Sequence, residues 1–421
     1  MLPYFRRAER NQRGPSAWHG AAGPLDVADQ RDPSPLSRAF VDAAIQAGLG
    51  RNDDFNGAEL DGAGLVQVTQ RRGRRCSTAV AYLRPARRRR NLTVVTGAHA
   101  TRVVVERGRA VGVDYVVGGR AVRALAAGEV VLSGGAIASP QLLMLSGVGP
   151  AAHLRAHGIR VLADLPGVGR NLQDHVVAPM RVRINRPLSL ATVESPANLV
   201  RWLTRRTGMM SSNVIEAAAF ARTRPGLEAP DIELMFGPVL WIDPEKIVMP
   251  TEHGVTVGPV VLQPCSRGAV ELRSADPFQP PAIHVNALSD PEGEDLRALT
   301  EGVRLALRVL DAPPLRGQLA ERPTPGPAEA EIGGFLRANA QTAYHATSTC
   351  SMGVDDQAVV DPELRVRGLD GLRVVDASVM PVINRGHPNA PVIMLAEKAA
   401  DMIRAGSPAA RRAVARPTGP R

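Results

Sequence analysis

Two histidines near the C-terminus have types and settings suited to proton chemistry. His345 lies in Tyr344-His-Ala-Thr-Ser-Thr-Cys-Ser-Met-Gly353, and His387 in Asn384-Arg-Gly-His-Pro-Asn-Ala-Pro391. An apolar, strand-like stretch ending in Asp376-Ala-Ser378 runs between them. Imidazole titrates near neutrality, so two of them on loops point to proton transfer on a small molecule.

Other chemistries find less support. The three cysteines, Cys76, Cys265 and Cys350, are far apart, which argues against a disulfide framework or a cysteine-rich metal site. The loop with Asn52, Asp53, Asp54, Asn56 and Gly57 lacks the spacing of a calcium loop. His153 and His157 are four apart with no evident third ligand, so no metal is expected. No Gly-x-Ser-x-Gly elbow appears, and Ser139 and Ser146 have no identified base, so a nucleophilic hydrolase is disfavoured. His175 follows Asn171-Leu-Gln-Asp174 and reads as structural. Glu216 reads as either solvated or pointing into a substrate cavity.

The chain of 421 residues is 44% hydrophobic and 22% charged, values of a globular protein with a sizeable core. Net charge is +10, carried almost wholly by arginine, with clusters at Arg71–Arg75 and Arg87–Arg90. Neither cluster has interleaved aromatics or a nucleic-acid-binding motif, so no nucleic-acid partner is expected. No run is long and apolar enough to span a membrane, and Met1–Arg7 lacks a signal-type core; a cytoplasmic protein is expected.

The elements that must position the histidines can be read from periodicity. Residues 1–35 are a Pro- and Gly-rich connecting segment. Pro35–Ala47 has the spacing of a helix, stopped by Gly48 and Gly50. Leu92–Thr96, Ala100–Glu106, Ala110–Val117 and Glu129–Leu132 read as strands. The last runs through Ser133-Gly-Gly135 into a helix at Pro140–Leu145, an arrangement that can bring backbone N–H groups to a ligand phosphate. Val176–Ile184, Asp231–Phe236, Val255–Leu262 and Ala269–Arg273 alternate, which predicts an antiparallel sheet with one wet face. Helices are expected at Asp290–Leu310, Ile332–Asn339 and Val392–Arg404, with a linker at Asp311–Pro327 and a disordered tail beyond Ala405.

Several of these segments resemble the glucose-methanol-choline family of flavin oxidoreductases, choline dehydrogenase-like branch, across nearly the whole chain. The resemblance is carried by Gly135–Gly149, Leu165–His175, Gly371–Pro381 and Asn389–Ile403. It implies an α/β with α+β fold: a discontinuous FAD-binding domain plus a substrate domain with an antiparallel sheet. The corresponding division is a connecting segment at 1–35, a partial FAD-binding domain at 36–175, and a substrate-binding domain at 176–330. Residues 331–404 would complete the FAD-binding domain and carry the catalytic loops, and 405–421 form the tail.

The resemblance further implies FAD as cofactor and oxidation of a small-molecule primary alcohol, with hydride passing to the flavin. His345 would be the base, and His387 would hydrogen-bond the substrate oxygen. Val103, Asp376, Ala377 and Asn389 fall on positions that approach the cofactor. No electron acceptor is indicated. Leu2–Glu9 resembles a point well inside a family member, so the expected fold lacks the N-terminal glycine turn of the dinucleotide site. The alternative is a truncated, FAD-free remnant, inert or a binding partner. Ser348 stands where relatives carry a glycine near the flavin.

Overall fold

The structure, a computed structural model, describes residues 1–240 and 250–406. Helix α1, Pro35–Gln46, begins where Ser34 Oγ accepts the Leu36 N–H at 3.2 Å, with Pro35 in the first turn where no N–H is needed. Leu36, Phe40, Val41, Ala43 and Ala44 form its buried face. Gly48, at φ +101°, follows its end. Strand β1 is Gly62–Leu65.

Strands β2 (Ala98–Glu106), β3 (Arg109–Val117) and β4 (Arg120–Leu125) form an antiparallel sheet. Arg107 and Gly108, at φ +49° and +77°, make the two-residue β2–β3 turn. Residues 92–96, expected as a strand, are not one: they are exposed, and no described strand pairs with them. β-Branched residues favour a strand only where a ladder partner exists. Strand β5, Val130–Leu132, leads into helix α2, Gly135–Leu145, which starts five residues before the expected Pro140.

Next come β6 (Val176–Val177), β7 (Met180–Arg183), β8 (Ala217–Ala221), β9 (Ile232–Gly237) and β10 (Gly254–Val261). The single strand expected at Val176–Ile184 is split at Ala178-Pro179, since proline cannot donate to a ladder. Helices α3 (Glu294–Asp311) and α4 (Glu329–Asn339) follow, then β11 (Gln341–Thr342), β12 (Leu372–Val374) and α5 (Asn389–Gly406). The expected tail, from residue 407 on, lies outside the described residues.

The large sheet runs β11-β6-β10-β9-β8-β1, with β7 also paired to β10, and every pairing is antiparallel. The expectation of a wet face is overturned. All residues of β8 and β10 are buried. The period of two sorts them between two covered faces. Ile232, Leu234, Phe236, Val255 and Val257 join the core with α1 and α3, where Phe40 and Phe236 stack at 4.7 Å. Glu233, Met235, Thr256 and Gly258 alternate with them and face the other way, toward the catalytic loops.

Burying each such Val, Leu, Ile or Phe contributes about 1.5–3 kcal/mol, so the helix-covered face fixes the strand register and with it the residues turned to the site. This core also takes in Leu36, Phe40 and Ala63, which the sequence reading grouped with the other half of the chain. Leu315 and Leu319, in the expected linker, are buried in it too.

A second core joins β2, β3, β5, α2, β12 and α5 through Val103, Leu143, Met144, Val374 and Leu395. Here β5 and β12 pair in parallel, Val130 opposite Leu372.

Candidate active site

The segment Asn171–His175 clamps both histidine loops. The Gln173 backbone exchanges hydrogen bonds with Thr347, at 3.2 and 2.9 Å. Its side chain accepts from the Ile383 N–H at 3.1 Å and donates to the Pro381 carbonyl at 3.2 Å. Asp174 Oδ1 accepts the His345 N–H at 2.8 Å, and its Oδ2 accepts from the Thr342 hydroxyl. Burial raises the Asp174 pKa against these hydrogen bonds.

The two predicted catalytic histidines come together, with ring centroids 4.7 Å apart. Both line a cavity of about 230 Å³, with Val177, Pro179, Ile215, Met235, Thr256, Gly258, Gln341, Thr342, Ala343 and Tyr344.

Two residues the sequence reading left out of the chemistry touch them. His175, almost fully buried, has its Nδ1 2.9 Å from Nδ1 of His345. Glu233 Oε1 lies 3.3 Å from Nε2 of His387. The signal for Glu233 was a single acid in the otherwise apolar strand Ile232–Gly237. His175 is the last residue of the clamp.

The environments drive the two histidines apart. Burial first, then the neighbouring imidazoles, pushes His345 down to about 3. Glu233 raises His387 in spite of desolvation. The side chain of His387 is 45% exposed and that of Glu233 only 3%, so a buried carboxylate favours the protonated form of the more open ring. His345 is thereby held as a neutral imidazole and His387 is shifted toward its protonated form, so the two rings meet opposed environments.

The predicted cofactor positions divide. Asp376 is buried and its carboxylate is saturated: Oδ2 accepts from the Gly135 N–H at 2.9 Å and the Ser139 hydroxyl at 2.5 Å, and Oδ1 accepts from the Ser378 N–H and hydroxyl. Gly134 N–H donates to Ser139 Oγ at 3.0 Å. The glycine turn before α2 is therefore capped by the protein's own groups, and its N–H groups are not open to a phosphate. Val103 is buried in the second core, and its N–H donates to Ser146 Oγ at 2.8 Å. Ala377 is half-buried, and its carbonyl accepts the Ser348 N–H at 3.2 Å. Asn389 and Ala390 are exposed at the first turn of α5, two and three residues after His387. A helix's first N–H groups have no intrahelical partner and suit an anionic or carbonyl-bearing ligand. Asn389 and the first N–H groups of α5 are the groups here that could hold one edge of a flavin dinucleotide, whereas the Asp376 carboxylate and the Val103 N–H are bonded within the protein.

Elsewhere, Glu216 does not point into the cavity. It is buried against α1, where it accepts from the Ser34 N–H and the Ser37 and Ser212 hydroxyls. His153 Nε2 accepts the Leu272 N–H at 3.1 Å, and no group of three or more metal-type ligands occurs among the described residues.

The site is thus a sheet-backed histidine pair next to an exposed helix start. Sequence models of the GMC oxidoreductase family match residues 1–177 and 264–396. An uncharacterized GMC-type oxidoreductase of Mycobacterium tuberculosis is 46% identical over 415 residues, 96% of this chain and 78% of the relative. Alcohol dehydrogenase [acceptor] of Pseudomonas putida is 42% identical over 95% of this chain and 74% of its own. Oxygen-dependent choline dehydrogenase of Paraburkholderia phymatum is 44% identical, with 97% and 73% covered. Among solved structures, pyridoxine 4-oxidase from Mesorbium loti superposes with a TM-score of 0.86 at 29% identity, over 96% of this chain and 77% of that one. The chain belongs to the GMC oxidoreductase family. It is an FAD-dependent oxidoreductase acting on CH–OH groups of small-molecule alcohols. No described helix is long and apolar enough to cross a membrane.

Proposed function

We propose that this chain oxidises uncharged primary alcohols with an apolar chain, with His345 as base and His387 as the cationic hydrogen-bond donor to the substrate oxygen. The observation that carries the roles is the opposed surroundings of two rings lining one cavity, His345 against the buried His175 ring and His387 against the Glu233 carboxylate. His387 gives Nε2–H to Glu233 and keeps Nδ1–H for the alcohol oxygen. That donor stabilises the negative charge that grows on oxygen as the proton leaves. His345 takes the proton. FAD, when bound, supplies the hydride acceptor. Asn389 and the first N–H groups of α5 are the groups that would hold it beside the pair.

The lining supports the substrate class. Val177, Pro179, Ile215, Met235 and Ala343 are apolar, and no carboxylate lines the cavity among the described residues. A quaternary ammonium group needs an aromatic cage or an anion. Here it would meet Tyr344 as the one aromatic ring and a protonated His387. The alcohol-dehydrogenase reading is thus favoured over choline. A volume near 230 Å³ lies below the roughly 300–1,000 Å³ of pockets for drug-sized ligands, which suits a short alcohol.

The test is anaerobic mixing of the flavin-loaded protein with butan-1-ol or choline while flavin absorbance is followed. Butan-1-ol should bleach it faster than choline. The His345→Ala variant should slow bleaching by about 10²–10⁴-fold. Undiminished bleaching in that variant would remove His345 from the role, and faster bleaching by choline would overturn the substrate class.

A further inference from the structure

We propose that His175 is a positioning residue that fixes the tautomer of His345, with the proton on Nδ1 and the lone pair on Nε2. The inference rests on the reading of His345 as the base.

The hydrogen-bond polarity leaves one consistent arrangement. His175 Nε2 lies 2.9 Å from the Leu262 carbonyl and 3.1 Å from the Asn384 carbonyl. A carbonyl oxygen only accepts, so Nε2 must carry a hydrogen. His175 is 1% exposed, and its burial disfavours the charged ring, which leaves Nδ1 a bare lone pair. Nδ1 sits 2.9 Å from His345 Nδ1, so the hydrogen between them belongs to His345. Neutral His345 then has one proton, on Nδ1, and its Nε2 is an acceptor with no hydrogen-bond partner among the described residues.

Two consequences follow for the chemistry. A base must present a lone pair, not an N–H, to the alcohol, and the opposite tautomer of His345 would present the N–H. His175 therefore selects the productive form before substrate arrives. The contact is also a dead end for protons. Two backbone carbonyls close the far side of His175, and a carbonyl does not pass a proton on. A proton taken by His345 Nε2 stays on that ring until it leaves through the cavity. While it stays, His175 Nδ1 remains an acceptor from the His345 ring and takes no share of its charge.

The arrangement also explains a sequence economy. Asp174 holds the His345 backbone and His175 holds its ring, so adjacent residues set the position and the tautomer. The same His175 ring bonds the carbonyl of Asn384, three residues before His387. One imidazole thus locks both catalytic loops.

The tautomer can be read without turnover. The full chain labelled with ¹⁵N-histidine gives distinct shifts for protonated and bare ring nitrogens, and His345 is assigned by its loss in His345→Ala. The expected result is a protonated Nδ1 and a bare Nε2 on His345. A protonated Nε2 would overturn the proposal. His175→Asn keeps an acceptor near the position of Nδ1 and should keep the tautomer and most of kcat. His175→Leu removes the acceptor and should release Nδ1 and lower kcat by about 100-fold with KM little changed. A leucine variant that retains both the Nδ1–H form and wild-type kcat would also overturn it. Should the leucine variant not fold, the wild-type tautomer and the asparagine variant still decide. If His345→Ala reduces flavin at the wild-type rate, the base assignment fails, whereas the shifts report on the tautomer regardless.

Discussion

Glu233 and His387 form a pair in which the buried member is the carboxylate and the more open member is the ring, with Oε1 and Nε2 3.3 Å apart. The carboxylate comes from the site-facing register of β9 and the ring from the loop before α5. Glu233 Oε2 has no hydrogen-bond partner among the described residues and lies 3.3 Å from His387 Nε2, so His387 carries most of the burden of neutralising a charge taken out of water.

Glu233→Gln should therefore lower the His387 pKa, since the carboxylate that raises it is gone. His387 would then be less protonated at pH 7. The alkaline limb of the kcat–pH profile should move to lower pH, and kcat at pH 8 should fall more than kcat at pH 5.5. In the wild type the folded pKa is raised, so the pair's stabilisation is complete below about pH 6.5 and is lost as pH rises through the raised value. The difference in Tm between wild type and Glu233→Gln should shrink over that rise. A pH profile unchanged by the substitution would separate Glu233 from the chemistry.

The histidine pair was legible because each ring sits in a local pattern that carries its own loop. The long helices were legible from apolar spacing alone, as at Leu36, Phe40 and Ala44. Glu233 was not, because the alternation of Asp231–Phe236 was taken to mean water on one face. That inference failed since α1 and α3 cover one side and the catalytic loops cover the other, and these covers lie tens to hundreds of residues away in the chain. His175 was passed over for a related reason. Its partner is 170 residues distant, and no spacing rule joins them. The glycine turn at Gly134-Gly135 suggested a phosphate, yet Asp376 reaches it from the other end of the chain and fills the same role.

His175 and His345 should make the protein acid-sensitive. Their folded pKa values are depressed to about 4 and about 3, below an unfolded value near 6.5. The unfolded chain thus binds more protons between these limits. Their stabilisation is complete above about pH 6.5 and is lost as pH falls toward 4 and then 3. Each contributes a slope approaching about 1.4 kcal/mol per pH unit in that window. Urea unfolding of wild type should lose stability more steeply than His175→Asn between pH 6.5 and 4.5. Parallel slopes would show that His175 is not held neutral in the fold.

Ser348 adopts φ +75° while fully buried, a left-handed conformation that costs a side-chain-bearing residue about 1–2 kcal/mol. Its hydroxyl lies 3.0 Å from Thr347 Oγ1, so the side chain is held within the protein. Ser348→Gly and Ser348→Ala both remove that contact, and only glycine relieves the backbone. The glycine variant should be more stable than the alanine variant by about 1 kcal/mol in chemical denaturation. Equal stabilities would mean that the loop relaxes out of the left-handed region at no cost.

Glu216 should matter for stability and not for turnover. Its carboxylate accepts from Ser34 N–H at 2.7 Å, Ser37 Oγ at 2.7 Å and Ser212 Oγ at 2.6 Å, tying the start of α1 to β8. Glu216→Ala leaves buried donors unpaired and should destabilise by about 3 kcal/mol. At a temperature where the variant remains folded, kcat should stay within about twofold of wild type, because Glu216 lies outside the cavity lining and bonds neither histidine. A large loss of kcat in folded protein would restore Glu216 to the cavity.

Gly258 sets the room available to the substrate chain. A Cβ there would come within 2.9 Å of Val177 Cγ2 and 3.9 Å of Met235 Cε, both on lining residues of the cavity. The Val177 methyl is branched at Cβ on a paired strand and has little freedom to yield. Gly258→Ala must therefore take volume from the cavity or push Val177 into its neighbours. The second course is overpacking and costs about 1–3 kcal/mol of stability. The first is read in substrate preference, where one methylene in an apolar pocket is worth about 1–3 kcal/mol, or roughly 10–200-fold in kcat/KM. The variant should lose at least about tenfold in kcat/KM for hexan-1-ol relative to ethanol, with the tautomer of His345 unchanged. A uniform loss along the alcohol series would place the substrate chain elsewhere and leave the cavity beside the histidines without the role its lining suggests.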